Sequence, residues 1–545
     1  MKILRQLAIQ ALFLTGISAA PCLATQDTDK IVWTHDSDSK ISYFRIVDDT
    51  LLLFGTEAGI FCVNADVRDT VWSKPAPDSV RGWTVGQITG TPLLLLMESR
   101  AWQVRKSRLQ GGGLTQARKN TLSVLDVRTG APRWNSQSAG IHSVCGFFLT
   151  PDSTNLILLT ADSSRAKSLR SVDFSTNTVR WVNDTAFAGA SPGLVAHESL
   201  DSLTLGLQRP IFDGHSAMIT FITPGILRKW DLATGAVLWE SEIRGNNLSP
   251  LSEGFMQMRF SDDNTRLYVP SHKYLNCLDV ATGEIIWESP KMYGHVYQVE
   301  ETVHGVLVRG GYYMSGKDGF KDYMILLDPE TGQYLWNKQL TKFKTPWTSN
   351  YLVFYNDYAY VTSDRKLYKV YIPDGSYEIV AEQLDLRGNL RLFRDEQNIR
   401  VISGETVALM ETNGNTLFNT TYQLPSSGSF WSTFATVLAV AALAVAVGVA
   451  ATSDGGTFVY VPPVSYGRTL YGEVARASDS TICMVTEIQT ATEKGPGVVW
   501  VRLKDGATLG KVIIGDKTPT YDFSESFSML YLLEDDSRIT AFRFE

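Results

Sequence analysis

Short apolar runs that end in the same polar turn recur along this chain. Ser123-Val124-Leu125 leads into Asp126, and Met324-Ile325-Leu326-Leu327 leads into Asp328. Apolar runs of this length bounded by turn residues predict strands. Four copies share the pattern Asp-x-x-Thr-Gly-x-x-x-Trp: Asp126, Gly130, Trp134; Asp231, Gly235, Trp239; Asp279, Gly283, Trp287; and Asp328, Gly332, Trp336. The Asp side chain can accept hydrogen bonds from nearby backbone N–H groups, and Gly takes positive φ without strain, so the pattern predicts a tight turn. The Trp then falls on the next strand, where it can bury a large area against a neighbouring unit.

Weaker units fill the gaps. Asp173, Asn177 and Trp181 keep most of the pattern, as do Asn64 and Trp72; Asp374-Gly375, Asn413-Gly414 and Asp505-Gly506 keep the turn. Successive Trp residues at 134, 181, 239, 287 and 336 lie 47, 58, 48 and 49 residues apart. That spacing accommodates four short strands, one propeller blade. In one unit the strands are expected at Met256–Phe260, Arg266–Pro270, Leu275–Asp279 and Ile285–Trp287. Lys30–Trp33 reads as an orphan last strand carrying its own Trp, and Arg538–Phe544 as a strand without such a partner. Pairing them would close a ring and hide both edges. The fold class is therefore all-β, a propeller of eight to ten four-stranded blades spanning residues 25–545.

The repeat resembles that of pyrroloquinoline-quinone (PQQ) enzymes and of PQQ-like β-propellers, the BamB-type outer-membrane assembly propellers among them. For the BamB-type members the resemblance implies a non-enzymatic scaffold that binds protein partners through strand edges or loops of one face. For the quinoprotein dehydrogenases it implies an adjacent cysteine pair beside the cofactor. No two cysteines are adjacent here. No PQQ, other cofactor or catalytic residue is therefore expected, although a PQQ-dependent dehydrogenase stands as the alternative of a different class, and a lumenal sensor or chaperone as a third.

Composition adds compartment and partners. The 545 residues carry a net charge of −7. No long basic run stands out, which argues against binding nucleic acid through its phosphates. Lys2 and Arg5 precede an apolar run from Leu7 to Ile17, and small residues follow to Ala24, the pattern of a secretory signal peptide over residues 1–24. Its removal takes the charge to −9. A lipobox around Cys22 is disfavoured, since Ala19 and Pro21 stand where Leu and a small residue belong. Export to the periplasm or cell envelope follows. Cys62, Cys145, Cys277 and Cys483 are far apart and read as small core residues, with one disulfide left open.

One window departs from a soluble propeller. Between residues 412 and 467 the sole charged residue is Asp454. Phe434–Ala451 would make a helix roughly 27 Å long, close to the apolar thickness of a bilayer. Trp431, Phe434, Leu438, Leu443 and Gly448 are the candidate membrane-contact residues of this 426–465 insertion, and membrane association is expected. A single crossing would separate the C-terminal strands from the ring. The segment is thus a re-entrant hairpin, or is buried against protein, or the ring closes without the C-terminal units.

Smaller features carry weaker expectations. Arg100–Asn120 holds six basic residues around Gly111-Gly112-Gly113 and reads as a mobile, solvated loop, with contact to anionic lipid or an acidic partner as the alternative. Arg309 with Tyr312 and Tyr313 reads as a possible peptide or glycan contact or as cross-strand packing. Asp36-Ser37-Asp38 and Ser261–Asn264 read as hairpin turns rather than calcium loops, and His295 and His304 as ordinary polar residues on neighbouring strands.

Overall fold

The structure, a computed structural model, describes residues 30–544 apart from internal segments, of which 187–209, 244–257, 344–352, 382–390 and 422–468 are the longest. Within the described residues lie ten antiparallel sheets, nine of four strands and one of five. In chain order they are blade 2 (41–75), blade 3 (80–135), blade 4 (143–183), blade 5 (211–242), blade 6 (259–288), blade 7 (295–343), blade 8 (353–381), blade 9 (391–421) and blade 10 (469–513). Blade 1 is composite: Ile31–Asp36 pairs with Arg538–Arg543, which continues to Met529–Glu534 and Thr520–Ser524. The ring is a ten-bladed propeller. Its closure rests on the expected strand pair, with Trp33 opposite Ala541, Thr34 opposite Thr540 and Asp36 opposite Arg538. Closure without the C-terminal units, one of the alternatives left open above, is overturned by this register.

Blade 6 shows how sequence becomes blade. Its strands are Arg259–Phe260, Arg266–Ser271, Tyr274–Asp279 and Ile285–Glu288. The two middle strands are buried almost throughout, while in the outer one Ile285 and Ile286 are exposed and Trp287 is buried, with a register irregularity between Ile285 and Trp287. Central strands covered on both faces read as continuous apolar runs. The core is a series of inter-blade wedges. Leu267, Val269 and Leu278 of blade 6 pack with Ile219, Phe221, Leu227 and Trp239 of blade 5.

Successive strands of a blade run in opposite directions. The turn between second and third strands and the connection from the fourth strand to the next blade therefore emerge on one face of the ring. The Asp-Thr-Gly turns, between third and fourth strands, emerge on the other.

Arg100–Asn120 is corrected by the structure. Most of it is strand: Leu93–Arg105 and Leu114–Asp126 pair over 13 residues each, with Arg100 opposite Lys119 and Arg105 opposite Leu114. The corresponding strands of blade 2 have 6 residues each.

Candidate functional site

The repeat residues build the blade junctions. In each full turn the Asp carboxylate accepts from the Thr backbone N–H and hydroxyl, at 2.7 and 2.7 Å for Asp231 with Thr234 and at 2.7 and 3.0 Å for Asp279 with Thr282. The hydroxyl and backbone donors of Thr234 hold Asp231 below the usual carboxylate range, with burial opposing. The same direction holds for Asp126, where burial pulls upward but hydrogen bonds from Arg133 and Thr129 outweigh it.

The Gly of each turn receives the indole of the preceding blade. A Cβ placed on Gly235 would lie 2.4 Å from Trp181, one on Gly283 2.5 Å from Trp239, and one on Gly332 2.4 Å from Trp287. The same indoles donate from Nε1 to the backbone carbonyl after the turn Asp: Trp181 to Leu232 at 2.8 Å, Trp239 to Val280 at 3.0 Å and Trp287 to Pro329 at 2.8 Å. Trp72 and Trp336 donate likewise to Val127 and Ile372. Phe418 takes the indole's place against Gly506 at 2.6 Å. The signature residues Asp126, Asp173, Asp231, Asp279 and Asp328, with their Gly and Trp partners, are thus committed to joining blades.

Blade 4 and the closure seam depart from this, and both lack Gly. In blade 4 the left-handed position is Asn177, φ 57°. The indole facing that blade, Trp134, is 2% exposed and its Nε1 has no hydrogen-bond partner. At the closure seam the position is Arg68, φ 66°. There Trp33 is half-buried and donates to Ala65 at a longer 3.2 Å. A cleft of about 510 Å³ opens at this junction, lined by Trp33, His35, Phe54, Phe61, Val63, Val67, Arg68, Asp69 and Thr70. The Arg68 guanidinium donates to the Thr34 carbonyl across it. Burial, then the nearby Arg68 charge, hold His35 below the usual histidine range, with Asp36 opposing. Its lining mixes aromatic and aliphatic side chains with His35, Arg68, Asp69 and Thr70. Sequence reasoning passed over this cleft.

Other expectations sort plainly. Asp36 pairs with Arg538 at 2.6 Å, and Asp263 accepts from Ser261 and Thr265 within its own turn. Both are structural turns. Among the described residues, no group of three or more His, Cys, Asp and Glu could hold a metal ion. Arg309 is fully buried, so it does not line a binding face. His304 sits in the turn before Gly305–Tyr313 and contacts Asp357 at 2.8 Å, whereas His295 opposes Gly311 at the far end of the ladder; the two do not meet. Cys62, Cys277 and Cys483 are in no disulfide and are buried in separate blades. They supply no adjacent pair for a quinone. Burial pushes the Cys62 and Cys277 thiols up to about 12. Residues 1–24 and the candidates Trp431, Phe434, Leu438, Leu443 and Gly448 lie outside the described residues.

The outer wall carries exposed apolar side chains just before the docking Trp. Val237 and Leu238 stand on blade 5, Ile285 and Ile286 on blade 6, and Leu335 on blade 7, each between 37% and 52% exposed. They stand on three consecutive blades, on strands that each leave one edge unpaired among the described residues. Such edges and apolar side chains suit added strands or protein surfaces.

Fold and junctions together define a ten-bladed propeller whose blades are locked by indole-on-turn docking. The chain belongs to the family of the outer membrane protein assembly factor BamB, whose model matches residues 83–338 and 225–509. Similar solved structures include BamB from Moraxella catarrhalis, 16% identical over 72% of this chain and 98% of that chain, with a TM-score of 0.34. The computationally designed Ika8 protein is 13% identical over 72% and 98%, TM-score 0.33. The C-terminal WD40 domain of Sif2 is 9% identical over 70% and 83%, TM-score 0.30. No curated protein matches the chain.

Proposed function

We propose that this protein is an exported, non-enzymatic scaffold of the cell envelope that takes part in membrane-protein assembly and is membrane-associated through residues 434–451. The observation that carries this reading is the family match, which extends over most of the ring. The signature residues support it, because their polar atoms serve the blade junctions. The outer wall from Val237 to Leu335 is the surface offered to a protein partner; its aliphatic side chains flank unpaired strand edges, which favours a partner that contributes an extended segment.

Two experiments test the reading. Depletion of the protein should lower the amount of folded β-barrel protein in the outer membrane; unchanged levels would remove the assembly role. Alkaline carbonate extraction of the wild type and of a variant lacking Phe430–Thr452 should leave the wild type with membranes and release the variant. Dye reduction after reconstitution with the quinone and calcium would overturn the non-enzymatic part.

A further inference from the structure

We propose that the face bearing the second-to-third strand turns is apposed to an anionic lipid surface, with the long hairpin of blade 3 as its electrostatic contact. The inference deepens the membrane reading above and rests on it for the protein's location. It does not require residues 434–451 to insert.

The ladder of blade 3 fixes where the charge lies. Leu93 opposes Asp126 just as Leu51 opposes Asn64 in blade 2, so the turn ends are level. All the extra length emerges on the opposite face. Blade 2 stops at Thr56 opposite Gly59, the counterpart of Glu98 opposite Thr121. Beyond that rung Ser99–Arg105 pairs with Leu114–Asn120, an extension of roughly 20 Å at the rise of a strand. These fourteen residues contain Arg100, Arg105, Arg118 and Lys119 and no acid. Glu98, one rung below, is buried and paired with Lys74 at 2.9 Å. Four basic positions thus stand on an extension without acidic ones, in a protein whose net charge is −7.

Blade 7 sends a second hairpin from the same face. Its last rung sets Tyr313 opposite Phe320 and Phe320 opposite Phe343. One rung inward, Tyr312 opposes Lys321, and Lys321 opposes Lys342. Aromatic and lysine positions on adjacent rungs, with Asp322 opposite Gly311 one rung further in, match the composition of a bilayer's headgroup zone. Blade 10 provides the contrast: its hairpin pairs Lys494 with Glu487, and its sequence carries a further acid, Glu493. Blade 9 ends at Thr421 on this face, where the chain departs toward its uncharged window. Blades 3 and 7 stand four apart in a ring of ten, almost across its diameter. Contacts spread that widely fit a flat continuous surface. One protein partner covers about 800 Å² in a standard interface, a local patch.

The test uses the mature full-length chain and flotation with vesicles of phosphatidylcholine alone or with added phosphatidylglycerol. Each basic residue near an anionic surface is worth about fivefold in partitioning. The wild type should prefer the anionic vesicles by at least about tenfold at low salt, and the preference should shrink as salt screens it. The combined variant Arg100→Glu, Arg105→Glu, Arg118→Glu, Lys119→Glu should lose that preference, and the fourfold Gln variant most of it, with thermal midpoints near wild type because the changed rungs lie outside the wedges. Lys494→Glu should keep it. A wild type without preference, or a fourfold Gln variant that folds and retains it, overturns the proposal. So does loss of binding to an acidic soluble protein with lipid preference intact. Failure of the anchor reading appears separately, as loss of binding to neutral vesicles.

Discussion

Gly283→Ala isolates the contact that joins blades. Two effects act at once. Gly283 has φ +76°, a region that costs an L-residue about 1–2 kcal/mol. Its new Cβ would also lie 2.5, 2.7 and 2.9 Å from Cδ2, Cε3 and Cγ of Trp239. Those atoms belong to a rigid ring, so the indole must move as a body. Overpacking of this kind costs about 1–3 kcal/mol. Displacing the ring also stretches its 3.0 Å bond from Nε1 to the Val280 carbonyl, worth about 1 kcal/mol. The sum is about 3–6 kcal/mol.

A matched control removes the backbone share. Gly214 has φ +57° and nothing within 4 Å of an added Cβ, so Gly214→Ala should cost about 1–2 kcal/mol. The assay is urea unfolding followed by tryptophan fluorescence, with stability compared through midpoints at constant slope. Gly283→Ala should lie at least about 2 kcal/mol below Gly214→Ala, and the emission should report an indole moved toward water. If the two variants unfold together, docking of Trp239 is not what demands Gly at position 283. Asn177 and Arg68 are the natural counterparts: each puts a Cβ at this position, and Trp134 lacks a partner while Trp33 is half-buried.

Further outcomes follow from the same geometry. The turn aspartates have folded pKa values below the unfolded one, so their stabilisation is present above about pH 4 and lost as pH falls through the folded values; urea midpoints should drop on acidification, and Asp231→Asn should show a smaller drop than wild type. His35 also has a lowered folded pKa, so its neutral form favours folding above about pH 6.5 and the seam weakens below it; His35→Phe should flatten that part of the profile, and an unchanged profile counts against the assignment. With thiols pushed up to about 12, Cys62 and Cys277 should stay unreactive toward a disulfide reagent at pH 8 until urea opens the blades; prompt labelling at those positions refutes their burial. A variant lacking Ile31–Asp36 leaves the edge of Arg538–Arg543 unpaired and should associate or unfold, read by light scattering on a sizing column.

The blades were legible because their physics is local. Asp, Thr and Gly make a turn wherever they occur at that spacing, and the Trp eight residues after the Asp marks the outer strand. Unit Asp173–Trp181 was readable through its Asn, which reaches positive φ more readily than most residues. Arg68 at the seam was not, because nothing about Arg suggests a left-handed turn. The hairpin of Arg100–Asn120 read as a loop for a different reason. Its outer rungs show no apolar alternation, and charge with three glycines dominates the pattern. The buried position of Arg309 was equally hidden, since an arginine beside two tyrosines looks like a surface.

The closure register also bears on the uncharged window. The strands that follow it, Thr481–Gln489, Lys494–Arg502 and Thr508–Ile513 in blade 10, pack against Val407 and Phe418 of blade 9, the last blade before it. The next strands, in blade 1, reach back to Ile31–Asp36 through the ladder and through Lys40 with Asp536 and Arg543 with Asp66. The chain therefore leaves one ring at Thr421 and rejoins the same ring by Thr469. A single membrane crossing would have to place two halves of one hydrogen-bonded circle on opposite sides of a bilayer, which costs every rung of the closure ladder. The window can enter a membrane as an even number of passes or as a re-entrant turn, or it can pack on protein. Cysteine scanning across 434–451 distinguishes them: labels on both flanks, at positions 428 and 456, must react from the same side of the membrane. Reaction from opposite sides would mean that the closed ring does not exist in the cell.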